Sequence, residues 1–294
     1  MPPVAPASAT RFATHRPGKQ HLMPELPDVE GFRTVLAEHG AGRQVERVEV
    51  ADAGVLRDVS AQHLQRSLRG RRFSDPERHG KWLIARTDGP ALLMHFGMTG
   101  QLHWAESGTE RHRHDRVVFT LPDGELRFRD MRKLQGLTLA PRPADIDRIL
   151  GDIGPDALQV GKQDFAAALG TGRQAVKAAL MDQSVIAGLG NLLTDEILWH
   201  ACINPRRPVR QLEPSDRDRL HGQMRQVLRE AIPNRQVPAQ AGWLTGARDA
   251  DHADCPRCGT PLEKDRVGGR STVWCPCCQS VDPGPCCEPG HGHA

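Results

Sequence analysis

With 39 Lys and Arg against 36 Asp and Glu over 294 residues, the chain has room for two ordinary domains but a formal charge of only +3. Charged residues are 26% and hydrophobic residues 38%, no apolar run reaches the roughly 18 residues of a membrane helix, and residues 1–22 lack the apolar core of a secretory signal. Membrane-embedded and secreted classes are therefore set aside and a cytoplasmic, monomeric protein is expected; so small a net charge does not by itself indicate nucleic acid.

Residues 1–22 mix Pro, Ala, Thr, Arg and His without apolar periodicity and are expected to be disordered or untranslated. A helix is predicted from Pro27, with Val29, Phe32, Leu36 and His39 on one face and Asp28 and Glu30 at its positive end. From about 44 to 140 short runs rich in branched and aromatic residues predict strands: VERVEV (45–50), WLIA (82–85), ALLMHF (91–96) and RVVFTL (116–121). The last continues through Pro122-Asp123-Gly124 into ELRFRD, a hairpin signature. After a junction near 141–150 the pattern turns helical, with candidates at 162–169, 173–183, 191–201 and 215–231, the last with Ser215 as its cap. The expected fold is α+β: a β-sandwich with flanking helices over 23–140, a helical domain over 141–250, a cysteine-rich hairpin over 251–281 and an unstructured tail over 282–294.

Seven of the eight cysteines follow residue 254. Cys255-x2-Cys258 and Cys275-x2-Cys278, sixteen residues apart, have the spacing of a closed four-cysteine site for one structural Zn2+. Cys277 could compete; Cys278 is preferred because it repeats the spacing of the first pair. Gly268-Gly269 can turn the intervening segment into a hairpin. Between two predicted helices, AGLGN (187–191) offers backbone N–H groups at a helix start, with Asn191 as cap, a seat suited to phosphate.

These pieces occur in a particular order: MPELPDVEG (23–31), HFGMTG (95–100), DMRKL (130–134), AGLGN (187–191) and the four-cysteine hairpin. Together, over roughly 23–280, they resemble the formamidopyrimidine-DNA glycosylase/endonuclease VIII family. The resemblance implies a β-sandwich, a helix–two-turn–helix unit and a zinc finger, with double-stranded DNA carrying oxidised bases or abasic sites held between them.

It also implies roles. Pro24, as an amino-terminal secondary amine, would be the nucleophile of a bifunctional glycosylase and AP lyase; Met23-Pro24 is a natural start after methionine removal, so translation from Met23 is expected. Glu25 would be the general acid/base, Lys81 would hold the scissile phosphate, and Arg270 would grip phosphate beside the lesion and assist a second elimination. Met98, Arg132 and Leu134 would fill the space left by an everted base. His114, Arg173 and Asn191 would contact DNA. Three departures stand out: Asp28 where Glu is common, Leu134 for Phe, and Gln135 for Gly. Only 22 residues separate Ile232 from Cys255, little room for a long base-capping loop, so oxidised bases in general are expected as substrates. The competing reading is a zinc protein that binds damaged or branched DNA without cutting it.

Overall fold

The computed structural model describes residues 23–250 and 252–280; the expectations for 1–22 and 282–294 lie outside the described residues. The chain opens with α1 (Leu26–His39), followed by β1 (Arg47–Val50), β2 (Leu56–Arg57) and α2 (Ala61–Leu68). Seven more strands follow: β3 (Glu77–His79), β4 (Trp82–Ala85), β5 (Ala91–His95), β6 (Gln101–Glu106), β7 (Asp115–Leu121), β8 (Gly124–Arg129) and β9 (Leu137–Ala140). They form two sheets, ordered β1-β7-β8-β6 and β2-β9-β5-β4-β3, antiparallel except for the β2–β9 pair. Alternation along β7 and β8 buries Val117, Phe119, Leu126 and Phe128 against Leu83, Leu92, Met94 and Leu137 of the opposite sheet, which makes the sandwich core.

The segment read as a junction carries α3 (Pro143–Leu150), whose Ile146 packs on Leu93 and Ala140. Then come α4 (Lys162–Leu169), α5 (Val176–Met181), α6 (Asn191–His200), α7 (Pro214–Ala231) and the short α8 (Leu244–Ala247). Leu220, Met224, Val227 and Leu228 form the buried stripe of α7. Its cap is Glu213, not Ser215: Pro214 takes the first helical position, and Asp216 returns a carboxylate to the Glu213 amide at 3.1 Å. Finally β10 (Glu263–Val267) and β11 (Arg270–Trp274) pair as a hairpin through Gly268 and Gly269, both at positive φ (57° and 76°), a conformation glycine reaches without a Cβ clash.

One helix joins the two larger cores. Val29 and Leu36 of α1 pack within the sandwich, whereas Leu26, one turn earlier, is buried among the helical residues Leu189, Leu193 and Ile197. The hairpin docks on α6 through Trp199, which packs with Cys255, Val273 and Leu244. No helix among the described residues is long and apolar enough to cross a membrane.

Candidate active site

Pro24 precedes α1 and lines a cavity of about 320 Å³ with Asp28, Phe32, Met98, His114 and Met131. The next residue, Glu25, is 2% exposed and reaches the start of α6. Its carboxylate accepts hydrogen bonds from the amides of Gly190 (2.9 Å), Leu192 (2.8 Å) and Leu193 (3.1 Å). It thereby satisfies three orphan donors and sits at the positive end of the helix dipole. The seat that AGLGN was expected to offer to phosphate is thus occupied in part by a carboxylate of the same chain. Gly190, not Asn191, is the helix cap, and Asn191 is the first helical residue.

Glycine makes this approach possible. A Cβ on Gly190 would lie 2.3 Å from Cδ of Glu25, and one on Gly80 would lie 2.8 Å from Cβ of Ala187. The amide of Leu26 donates to the Gly188 carbonyl at 3.1 Å. Beneath these contacts a buried ion pair clamps Arg78 to Asp156 at 2.5 Å, and Asp156 also accepts from the Gly80 amide at 2.7 Å, which fixes the backbone entering Lys81.

Lys81 is brought close to Glu25, Asp28 and Arg270; burial, reinforced by the Arg270 charge, lowers its pKa from the usual lysine range, while the two carboxylates oppose the shift. Asp28 accepts from the Glu25 amide at 2.9 Å, and burial pushes its carboxyl up to about 7 despite that bond. His95, cross-strand from Trp82, is driven down to about 4 by burial and by Lys81. Its neutral Nδ1 accepts from the Gly97 amide at 3.1 Å and so holds the turn that presents Met98.

Arg270 stands exposed at the start of β11. The strand is secured from below by Lys177, fully buried on α5, which donates to the Ser271 carbonyl (2.9 Å) and Thr272 Oγ1 (2.8 Å) and pairs with Asp195 at 2.6 Å. Asn191 reaches Ser271 Oγ at 3.5 Å, and its Oδ1 is buried without a hydrogen-bond partner. Arg132 and Leu134 are exposed on the loop after β8, with Leu134 at 50%. His114 is half-buried, its Nδ1 3.0 Å from Arg116, and Arg173 is exposed between α4 and α5. Thus Pro24, Met98 and His114 line one cavity, Glu25, Lys81 and Arg270 gather beside it, and Asn191 joins them through the hairpin. Arg173 is not among the described residues that line the cavity. Sequence reading missed Met131, 52% exposed beside Met98, and Lys177 with Asp195. Met131 sat inside the quoted DMRKL; a lysine within the apolar run VKAALM was the available sign of the buried pair.

The Sγ atoms of Cys255, Cys258, Cys275 and Cys278 lie within 4.8 Å of one another. Zinc–sulfur bonds of about 2.3 Å imply tetrahedral edges of about 3.8 Å. The Cys255–Cys278 separation is 3.9 Å and the Cys258–Cys275 separation 3.5 Å, so four thiolates fit one ion with no position left for water. Trp199 Nε1 approaches Cys255 Sγ at 3.4 Å, an outer contact of the kind that orients ligands.

A sandwich and a helical unit joined through Glu25, with a four-cysteine hairpin carrying an arginine near Lys81, define the zinc-finger DNA glycosylase architecture. Family models agree. Residues 23–137 match the formamidopyrimidine-DNA glycosylase N-terminal domain, 153–240 its H2TH domain, and 255–281 a zinc finger found in FPG and IleRS. The formamidopyrimidine-DNA glycosylase of Symbiobacterium thermophilum is 36% identical over 282 residues, covering 91% of this chain and 92% of that protein. That of Acidothermus cellulolyticus is 35% identical, covering 88% and 98%. Lactococcus lactis Fpg bound to abasic-site DNA superposes with a TM-score of 0.78 at 28% identity over 87% of this chain and 99% of that one. The same enzyme bound to DNA with an oxidised pyrimidine gives 0.80 at 29% identity, over 87% and 100%. The chain belongs to the formamidopyrimidine-DNA glycosylase family.

Proposed function

We propose that the protein is a base-excision repair glycosylase with AP lyase activity, acting on oxidised bases in double-stranded DNA. The observation that carries this reading is Pro24 on the cavity wall, directly before a carboxylate anchored across the domain boundary and beside Lys81.

The chemistry follows from a free secondary amine at Pro24. Such an amine titrates near 8, so a useful neutral fraction attacks the sugar C1′. The C1′–base bond breaks and the base leaves with a proton; the ring oxygen, protonated as the sugar opens, becomes a hydroxyl. The resulting iminium is cationic without an added proton, because the amine is secondary. It acidifies C2′–H, whose loss expels the 3′ phosphate, and water then releases the sugar and regenerates the amine. Glu25, held by three amides, and Asp28, whose carboxyl is raised to about 7 by burial, would move the protons. Lys81 and Arg270 balance phosphate charge, and Asn191 and Arg173 extend the backbone contact. Met98, Arg132 and Leu134 take the space of the everted base. Zinc serves the finger alone, since its four ligands close the coordination shell.

All of this requires that the Pro24 nitrogen not be an amide, so the active chain begins at Pro24. Borohydride trapping on duplexes carrying oxidised bases or abasic sites tests the reading. Protein beginning at Pro24 is expected to become covalently attached to DNA, while protein that keeps residues 1–22 and Pro24→Gly protein trap poorly. Adducts formed equally well by the extended protein would refute the mechanism. Binding without any adduct would favour the non-cutting zinc protein.

A further inference from the structure

The residues proposed to fill the vacated space come from two loops whose flanking strands pair, β6 with β8 (Gln101 opposite Arg129) and β5 with β9 (Met94 opposite Leu137), while the loop tips beyond those pairs share no ladder. Met98 follows β5, in one sheet; Arg132 and Leu134 follow β8, in the other. Beyond those strand pairs, the side chain that ties the tips together is Asp130, 1% exposed. Its Oδ1 accepts from the Thr99 hydroxyl at 2.5 Å and from the Arg132 amide at 3.0 Å, while Oδ2 accepts from the Lys133 amide at 3.1 Å. The Arg132 amide also reaches Thr99 Oγ1 at 3.0 Å. One carboxylate therefore binds the residue after Met98 and two successive residues of the second loop, Arg132 and Lys133.

Arg57, on β2, closes the other side. One arm of its guanidinium donates to the carbonyls of Lys133 (2.8 Å) and Gln135 (3.0 Å), the other to those of Gly54 (3.1 Å) and Leu56 (2.9 Å). The loop needs such fixing, because Lys133 sits at a φ of +56°, where residues other than glycine are uncommon. Gln135 also leans on the first loop: its Cβ lies 3.3 Å from where a Cβ on Gly97 would be. Neither Asp130 nor Arg57 lines the cavity that holds Pro24.

We propose that Asp130 and Arg57 are positioning residues that yoke the two loops into one rigid wedge, so that Met98, Arg132 and Leu134 enter the duplex as a unit. The inference rests on the glycosylase reading above and deepens it. Its consequence is specific: the yoke serves the opening of a paired duplex and not bond-making at Pro24. Had the loops been independent, each insertion would carry its own ordering cost, and the everted state would be less populated.

The test compares single-turnover excision of one oxidised base from a fully paired duplex and from the centre of a short unpaired bubble, using protein that begins at Pro24. Asp130→Asn and Arg57→Gln are expected to lose about tenfold or more on the paired duplex and under about threefold on the bubble, with partial recovery in Arg57→Lys. A 2-aminopurine beside the lesion should report delayed insertion in the same variants. Thermal melting identifies a variant that has lost its fold; Arg57 is half-exposed, so Arg57→Gln decides the matter if Asp130→Asn does not fold. Equal losses on both substrates, or no loss in folded Arg57→Gln, would overturn the yoke. Wild-type protein inert on both would overturn the glycosylase reading, and the yoke with it.

Discussion

The Glu25 carboxylate accepts a hydrogen bond from the Gly190 amide at 2.9 Å, across 165 positions of sequence. It makes the residue beside the proposed nucleophile the cap of a helix in the other domain. Gly190 has an ordinary extended backbone (φ −123°), so alanine there is opposed not by conformation but by the 2.3 Å approach of its Cβ to Glu25. Gly190→Ala should displace the carboxylate and lower excision by about a hundredfold, with a folded circular dichroism spectrum retained. Near-wild-type rates would show that Glu25 tolerates the shift.

Asp28 gives a pH signature. Its carboxyl titrates near 7 when folded and near 3.8 when unfolded, so between those values the native state holds a proton that the unfolded state lacks. The stability it contributes is complete below about pH 4 and is lost as pH rises towards 7. Asp28→Asn carries no such charge. Its melting temperature relative to wild type should therefore climb between pH 4 and pH 8. Parallel curves across that range would contradict the burial of this group.

Lys177 predicts a different failure. Lys177→Met leaves Asp195 buried with Arg248, at 3.2 Å, as its remaining cationic partner among the described residues, and removes two hydrogen bonds donated to β11. Breaking a buried pair in this way costs about 3–5 kcal/mol, so a marked drop in melting temperature is expected. Abasic-site cleavage should fall further than the loss of folded protein explains, because the strand that carries Arg270 is loosened.

Leu134 is half exposed, and its truncation should leave the fold alone. Leu134→Ala is expected to change the melting temperature little while slowing excision from paired DNA by about tenfold. Leu134→Phe should retain activity and alter the preference for the base opposite the lesion, measurable on four duplexes.

Zinc removal offers a check on the finger. One zinc per chain is expected, and a chelator strong enough to extract it should unfold the hairpin and abolish DNA cleavage while the sandwich keeps its structure. Cys278→Ser should lower zinc content in the same way. Full activity in metal-free protein would detach Arg270 from the reaction.

Much of this architecture was legible in the chain because its signals are local. Alternation in VVFTL and ELRFR, the x2 cysteine spacing and the glycines of AGLGN each act within a few residues. The caps were misassigned for the complementary reason. Ser215 and Asn191 are good capping residues by type, but Pro214 moved one helix start, and a carboxylate from residue 25 supplied the other. The roles of Asp130, Arg57 and the Lys177–Asp195 pair were not legible, beyond the sign of a lysine in an apolar run, because their meaning lies in partners brought together only by folding.

The anchoring of Glu25 has a mechanical corollary. In the proposed mechanism, a carboxylate acting at once as chemical group and as pin between the halves cannot let them swing apart without disarming itself. Accommodation of a duplex is then expected to fall to the nucleic acid and not to a change in the protein. Small-angle scattering envelopes of the protein component, free and DNA-bound, should then be almost superimposable.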